Sequence, residues 1–322
     1  MKAKALLSGG RTLETTSVSF ASTIGAETAT QSRASLVGTV LDQRYRVREL
    51  IGKGGMSCVY RAEHVLLRRS VVIKTLRASL SADDELIARS LREARVTAAI
   101  DSPYVVDILD IGRLAEGGLY LVLEYLEGWD LASVVKRQGA LDVVRSLELA
   151  MQLCDAVSAV HRAEVIHRDV KPHNVFVTSM APPRLKLLDF GICKVAGSSQ
   201  SAGPVARTRS GVLLGTPEYM APEQIDPCEV GLGTDIYAIG ATLHFMLTGR
   251  PPFEGTSLPR LLLRICEAEL TPIVGFPEVT SVLECALAKR PQDRFQSASA
   301  LRHALAQCAK RQRARARSEA HA

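Results

Sequence analysis

Hydrophobic residues fall into two regimes along this chain. Between Tyr45 and Glu124 they alternate or cluster in short β-branched runs, "YRVRELIG", "SCVYRAEHV", "SVVIKTL", "VVDILDIGRL" and "LYLVLEYL", which predict strands between turn signals. The "AEGG" between the last two runs predicts a hairpin. One segment breaks the rhythm: "ADDELIARSLREARVTAAI" has good helix formers behind an acidic start and predicts a helix. After Gly128 the pattern turns mainly helical, over about 142–162, 234–248, 257–268, 279–288 and 297–309. The expected architecture is therefore α+β and two-lobed. A small strand-rich lobe with one helix (about 41–124) precedes a larger, mainly helical lobe (about 127–305). Their join near 124–128 is a natural cleft, where ligands bind.

The ends read differently. Residues 1–40 are rich in Ser, Thr, Ala and Gly and can bury little surface, so a disordered N-terminal segment is expected. Residues 306–322 form a basic C-terminal tail. Much of the formal net charge of +6 lies there, in "KRQRARAR" at 310–317. The simplest reading of that run is a solvated tail. The sharper one is electrostatic binding to nucleic acid or another acidic surface, and no groove-reading motif accompanies it.

Composition narrows the class. The chain has 322 residues, 47% hydrophobic and 23% charged, ordinary for a globular protein. No apolar run reaches the roughly 18 residues of a membrane span, and the apolar patch in "MKAKALLSGG" is too brief for a secretory core. The seven cysteines are scattered with no C-x-x-C pair. This argues against a disulfide framework or zinc site and fits a reducing cytoplasm.

Five motifs then appear in order. "GKGGMSCVY" (52–60) lies between predicted strands, where glycines allow a backbone to approach phosphates. It is neither a Walker A loop nor a dinucleotide fingerprint, since no Lys-Ser/Thr and no helix follows. Lys74 ends "VVIK", and Glu93 lies in the helix that follows. "HRDVKPHN" (167–174) packs ionisable groups between apolar flanks. "DFG" (189–191) and "GTPEYMAPE" (215–223) complete the set. Each alone has a bland explanation: a hairpin turn, a strand-end lysine, a core histidine.

In this order and spacing, the motifs resemble the protein kinase family, and most closely the eukaryotic-like Ser/Thr kinases of bacteria. The resemblance covers residues 41–305 and implies the two-lobed kinase fold. It implies ATP and magnesium as cofactors, with manganese as a substitute ion. It implies protein substrates carrying Ser or Thr acceptors, and it is compatible with a homodimer. Phosphoryl transfer needs positioning and charge stabilisation more than covalent help. By resemblance, Asp169 is the catalytic base and Lys171 steadies the transferring phosphate. Asn174 and Asp189 hold metal, as oxygen ligands suited to a hard cation. Lys74 contacts the α- and β-phosphates and is kept in place by Glu93. The nucleotide is expected to lie against Ile51, Gly52, Lys53, Gly54, Gly55, Met56, Ser57, Cys58 and Val59. Val72 would roof the adenine and Phe176 floor it. The backbone at Glu124 and Leu126 would pair with the adenine edge, with Leu123 as gatekeeper, and Asp130 would reach the ribose.

His167 and Phe190 are expected to pack rather than react. Glu223–Arg294 is expected as a buried brace, and Asp235 as a support for the 167–169 backbone. Thr216 in "GTPEY", with Lys171, implies Ser/Thr rather than Tyr specificity. Ile192, after "DFG", implies a preference for threonine acceptors. Thr208 and Ser210 match autophosphorylated loop positions, with Arg168 and Lys194 as their basic partners. Departures are mild. Ser57 replaces the third loop glycine, and Val72 and Phe176 are bulkier than the family norm, which implies a tight slot and a raised nucleotide KM. Trp129 covers apolar surface or narrows the peptide groove. The competing readings are a pseudokinase scaffold and nucleic-acid binding through the tail.

Overall fold

A computed structural model describes residues 36–53, 57–76, 84–115, 117–189, 216–225 and 230–319. The first strands, β1 (Val40–Leu41), β2 (Tyr45–Lys53), β3 (Ser57–His64), β4 (Ser70–Leu76), β5 (Ile108–Arg113) and β6 (Leu119–Glu124), form one antiparallel sheet in the order β1-β2-β3-β4-β6-β5. Their alternation sorts side chains onto two faces. Tyr45, Val47, Tyr60, Ala62, Val71, Ile73, Tyr120 and Val122 make a separate outer cluster. Ile51, Val72, Leu121 and Leu123 join the main core, which runs on into the helical lobe. Helix α1 (Asp84–Ala98) packs against β5.

The second lobe opens with β7 (Trp129–Asp130), which pairs with β8 (Val175–Met180), itself paired with β9 (Pro183–Leu187). Helix α2 (Leu131–Gln138) is capped by Asp130, and α3 (Val143–Arg162) by Asp142, whose Oδ1 accepts from the Arg145 amide at 3.0 Å. Beyond the short α4 (Pro222–Ile225), helix α5 (Leu232–Thr248) is buried around most of its circumference and packs against α3 at the centre of the lobe. It ends at Gly249, whose φ of 74° is the left-handed conformation of a helix stop. Helices α6 (Leu258–Glu267), α7 (Pro277–Ala286) and α8 (Ala298–Glu319) complete the described residues. The lobes are stitched together behind the cleft, where Leu187 donates to Tyr104 O at 2.7 Å and its carbonyl accepts from the Val106 amide at 3.0 Å.

Both domain edges differ from the sequence expectation. Residues 36–40, assigned there to the disordered segment, are folded: Gly38 N donates to Val47 O, and Val40 pairs with Arg46. At the other end, the basic tail is the second half of a 22-residue helix rather than a solvated strand of chain. The buried stripe Leu301, Leu305, Cys308 and Ala309 continues into Gln312, keeping α8 against α3 and α7. Arg302 pairs with Asp155 and Arg315 with Glu278, both at 2.7 Å, and Arg313 pairs with Glu148. Carboxylates contributed by α3 and α7 thus face the arginines of a stretch already rich in the good helix formers Ala, Arg, Lys and Gln.

Candidate active site

The 167–174 loop crosses the cleft floor and is fixed from below. Asp235, fully buried at the start of α5, accepts from the amides of His167 and Arg168, each at 2.8 Å, and contacts His161 Nε2 at 2.8 Å. Gln224 Nε2 donates to Arg168 O at 3.0 Å while its Oε1 accepts from Ala221 N at 3.1 Å. Both sides of Arg168 are therefore clamped. This matters because Arg168 has a φ of 63°, a left-handed conformation costing a non-glycine residue about 1–2 kcal/mol. His161 and Gln224 were not singled out by the sequence. Their roles come from which backbone they meet.

His167 is buried. Its Nε2 donates to Leu188 O at 3.0 Å, and its Nδ1 accepts from the Asp169 amide at 3.3 Å. Those two bonds fix the tautomer, and burial pushes the ring below the ordinary histidine range, so it stays neutral. It couples the Asp169 loop to the residue before Asp189, the packing role expected for it.

Asp169 sits at the centre. Lys171 Nζ lies 3.2 and 3.0 Å from its two carboxylate oxygens. Asn174 Nδ2 donates both to the Asp169 carbonyl (2.8 Å) and to its Oδ2 (2.9 Å). Because the amide nitrogen of Asn174 is engaged with Asp169, its carbonyl Oδ1 is the atom left as a hard ligand. Asp189 approaches from the other side with φ 53°, and its Oδ1 pairs with Lys74 Nζ at 2.6 Å. Lys74 is buried on β4, and Glu93 lies half-buried on α1. Together the two lobes bring two carboxylates, two lysines and an amide oxygen to one cleft.

The upper wall is β2–β3. Gly52 pairs with Val59 and Lys53 with Cys58, flanking the loop. Thr75 Oγ1 accepts from Cys58 N at 3.3 Å and donates to Cys58 O at 3.2 Å, locking the loop's exit to the strand that carries Lys74. Ile51, Val72, Leu126 and Phe176 are buried in one cluster. Gly128 closes the connection between the lobes with φ 141°. A Cβ there would lie 2.1 Å from Val177 O, so only glycine lets this backbone pass β8.

Asp130 has a role that the sequence reading did not give it. Its Oδ1 accepts from Ser133 N (2.9 Å) and its Oδ2 from Ser133 Oγ (2.6 Å), which makes it the N-cap of α2. Each carboxylate oxygen keeps a further acceptor lone pair beyond the cap. Trp129 stacks with Arg137, whose guanidinium carbon lies 3.5 Å from the ring centroid. Thr216 is half-buried and opens the turn Pro217–Tyr219. Gly54, Gly55, Met56, Phe190, Ile192, Lys194, Thr208 and Ser210 lie outside the described residues.

The expected brace is present. Arg294 Nη1 and Nη2 donate to the two oxygens of Glu223 at 2.7 and 2.8 Å. Its remaining donors go to Gly233 O, Lys289 O and Ala288 O at 2.9, 2.9 and 2.7 Å, so all five guanidinium donors are used. Burial pushes the Glu223 carboxyl up, but Arg294 and the Thr234 hydroxyl outweigh it and hold the group below its usual range.

Comparison with known proteins agrees with this geometry. Residues 45–306 match the family described as protein kinase domain. The serine/threonine-protein kinase pkn3 of Myxococcus xanthus is 37% identical over 275 residues, covering 83% of this chain and 50% of that protein. PknB of Mycobacterium tuberculosis is 35% identical over 271 residues, covering 81% and 42%. The chain thus spans about half or less of the curated relatives it matches. The crystal structure of the Mycobacterium tuberculosis PknI kinase domain superposes with a TM-score of 0.64 at 27% identity, covering 85% of this chain and 100% of that one. Among the described residues no helix is long and apolar enough to cross a membrane. With the strands that flank the glycine-rich segment, the buried lysine, the Asp169 loop and Asp189 assembled around one cleft, and with a family match over most of its length, the chain belongs to the protein kinase family.

Proposed function

We propose that this chain is a Ser/Thr protein kinase that transfers the γ-phosphate of ATP to hydroxyls of proteins. The observation that carries the reading is the junction of Asp169, Lys171 and Asn174 with the Lys74–Asp189 pair. Asn174 Oδ1 and the Asp189 carboxylate supply hard oxygens for magnesium or manganese, and Lys74 and Lys171 supply cations for phosphate oxygens, so the residues fit the cofactors. Bound there, ATP brings the phosphoryl group and the metal neutralises its charge. Asp169 orients the acceptor hydroxyl and takes its proton. Lys171 and Asn174 hold the Asp169 carboxylate for that task. The buried Val72 and Phe176 enclose the adenine, with Glu124 and Leu126 at its edge and Asp130 at the ribose. Every group a pseudokinase would lack is present in the chain.

The direct test incubates the purified chain with ATP, magnesium and a generic Ser/Thr substrate. Phosphate transfer is expected, and Asp169→Asn should lower it about 10²–10⁴-fold, as loss of a positioned base does. Equal activity in wild type and Asp169→Asn would reject the assignment. Regulation is placed in the segment after Asp189. A phosphate on Thr208 or Ser210 adds roughly two negative charges that Arg168, exposed beside the base, can meet. Mass spectrometry of active protein should find at least one of the two modified. Ile192 is assigned the threonine preference, and matched Ser and Thr peptides assayed with wild type and Ile192→Phe test it.

A further inference from the structure

We propose that Lys186 is a positioning residue for the nucleotide: its ammonium ties the floor of the adenine slot to the first residue of the hinge and sets the distance between them. This rests on the reading that ATP occupies the cleft.

Lys186 lies on β9, directly opposite Phe176 across the β8–β9 pair. Cross-strand partners project from the same face of a sheet, so the lysine rises beside the floor residue. Its Nζ leaves its own lobe entirely. It donates to Val105 O at 3.1 Å, pairs with Glu124 Oε1, and stands 3.9 Å from Asp107 Oδ2. Glu124 is the last residue of β6, where the chain enters the hinge. Its Oε1 also accepts from the Asp107 amide at 2.9 Å, and its own amide donates to Asp107 O at 3.1 Å. The hinge residue is therefore gripped between β9 of one lobe and the lead into β5 of the other.

The neighbouring backbone explains why a side chain is needed. Leu187 is already bonded to Tyr104 and Val106, which fixes the lobes deep in the cleft. Lys186 carries that anchor outward to the hinge, where no strand pairing joins β9 to β6. Both partners are largely shielded from water, so the pair is weakened less by solvent than an exposed one. Val72 and Phe176 are both buried and bulky, which leaves the slot between them little tolerance for a change in height. Lys186 makes no contact with Asp169, Lys171 or Asn174 among its described bonds. Its loss is therefore expected in nucleotide binding and not in the transfer step.

The experiment titrates the full chain with ATP and magnesium by calorimetry and measures kcat and the ATP KM in parallel. The set is wild type, Lys186→Met, Lys186→Arg, Glu124→Gln and the Lys186→Met/Glu124→Gln double variant. The ATP Kd and KM should rise about tenfold in Lys186→Met, with kcat at saturating ATP changed by less than about twofold. Lys186→Arg should recover most of the affinity. The double variant should bind no worse than Lys186→Met, because the two residues act through one contact. A residue that only stabilised the fold would lower the melting temperature and leave Kd unmoved. An unchanged Kd in Lys186→Met, or a double variant whose losses add, overturns the proposal. Should Lys186→Met not fold, Glu124→Gln decides in its place, and an unchanged Kd there is equally fatal. Wild type that binds no ATP would instead sink the functional reading, and this inference with it.

Discussion

Two ion pairs of nearly equal length divide the molecule by purpose. Arg294–Glu223 measures 2.7 Å and Lys74–Asp189 2.6 Å. The first has side chains 0% and 4% exposed, and every guanidinium donor is engaged. In the second, Asp189 is 44% exposed and sits on a left-handed backbone. A saturated buried pair cannot exchange partners without leaving a charge stranded, which suits a brace. A pair open on one side can trade its partner for a phosphate or a metal. The Lys74–Asp189 pair holds its charges in that exchangeable form, and Arg294–Glu223 holds its own in the permanent form.

The strongest way to break this contrast is Arg294→Ala. It leaves Glu223 buried without its partner and should remove about 3–5 kcal/mol of unfolding free energy, read from the denaturant midpoint. Lys74→Met should do the reverse. Loss of a preorganised cation is expected to cut kcat about 10²–10³-fold in the phosphotransfer assay. The melting temperature should move by no more than about 4 °C, since Asp189 remains hydrated. A Lys74→Met protein that melts far lower would show that the two pairs are not different in kind.

Acid sharpens the comparison further. The folded Glu223 carboxyl lies below its unfolded value. The stability it contributes is therefore present above the unfolded pKa, near 4.3, and is lost as pH falls through the folded one. The stability gap between wild type and Glu223→Gln should hold from pH 7 to 5 and shrink below about pH 4.3, by up to about 1.4 kcal/mol per pH unit. Chemical denaturation across that range checks it. The smallest effect is expected at the surface. Arg313 is half exposed in its pair with Glu148, so Arg313→Ala should cost about 0–1 kcal/mol. A larger loss would mean that α8 contributes to the core beyond its buried stripe.

Much of the site was legible because its chemistry is contiguous. Asp169, Lys171 and Asn174 occupy one six-residue stretch, and the loop geometry that joins them is local. Lys74 and Asp189, 115 residues apart, were linked only through the family resemblance. Nothing local to either segment says that they meet at 2.6 Å. Gln224, His161 and Lys186 escaped notice for the same reason. Their bonds run to backbone or side chains 56, 74 and 62 positions away, and no periodicity encodes such a distance. Asp130 was assigned to a ligand alone because the cap is visible only once α2 begins at Leu131.

What the sequence determined by itself was the alternation of strand and helix, the two-lobed division and the identity of the groups around the cleft. The first two follow from side-chain period and residue type, both written along the chain, and the third from motifs that resemble the protein kinase family. What only the tertiary structure decided was where the folded domain ends and which charges are permanent. Residues 36–40 are ordered because β2 offers them an edge, and α8 is held to the lobe past 309 where α3 and α7 place carboxylates against its arginines. Whether an ion pair braces or exchanges depends on how much water reaches it. Water access is a property of packing, which no single segment of sequence contains.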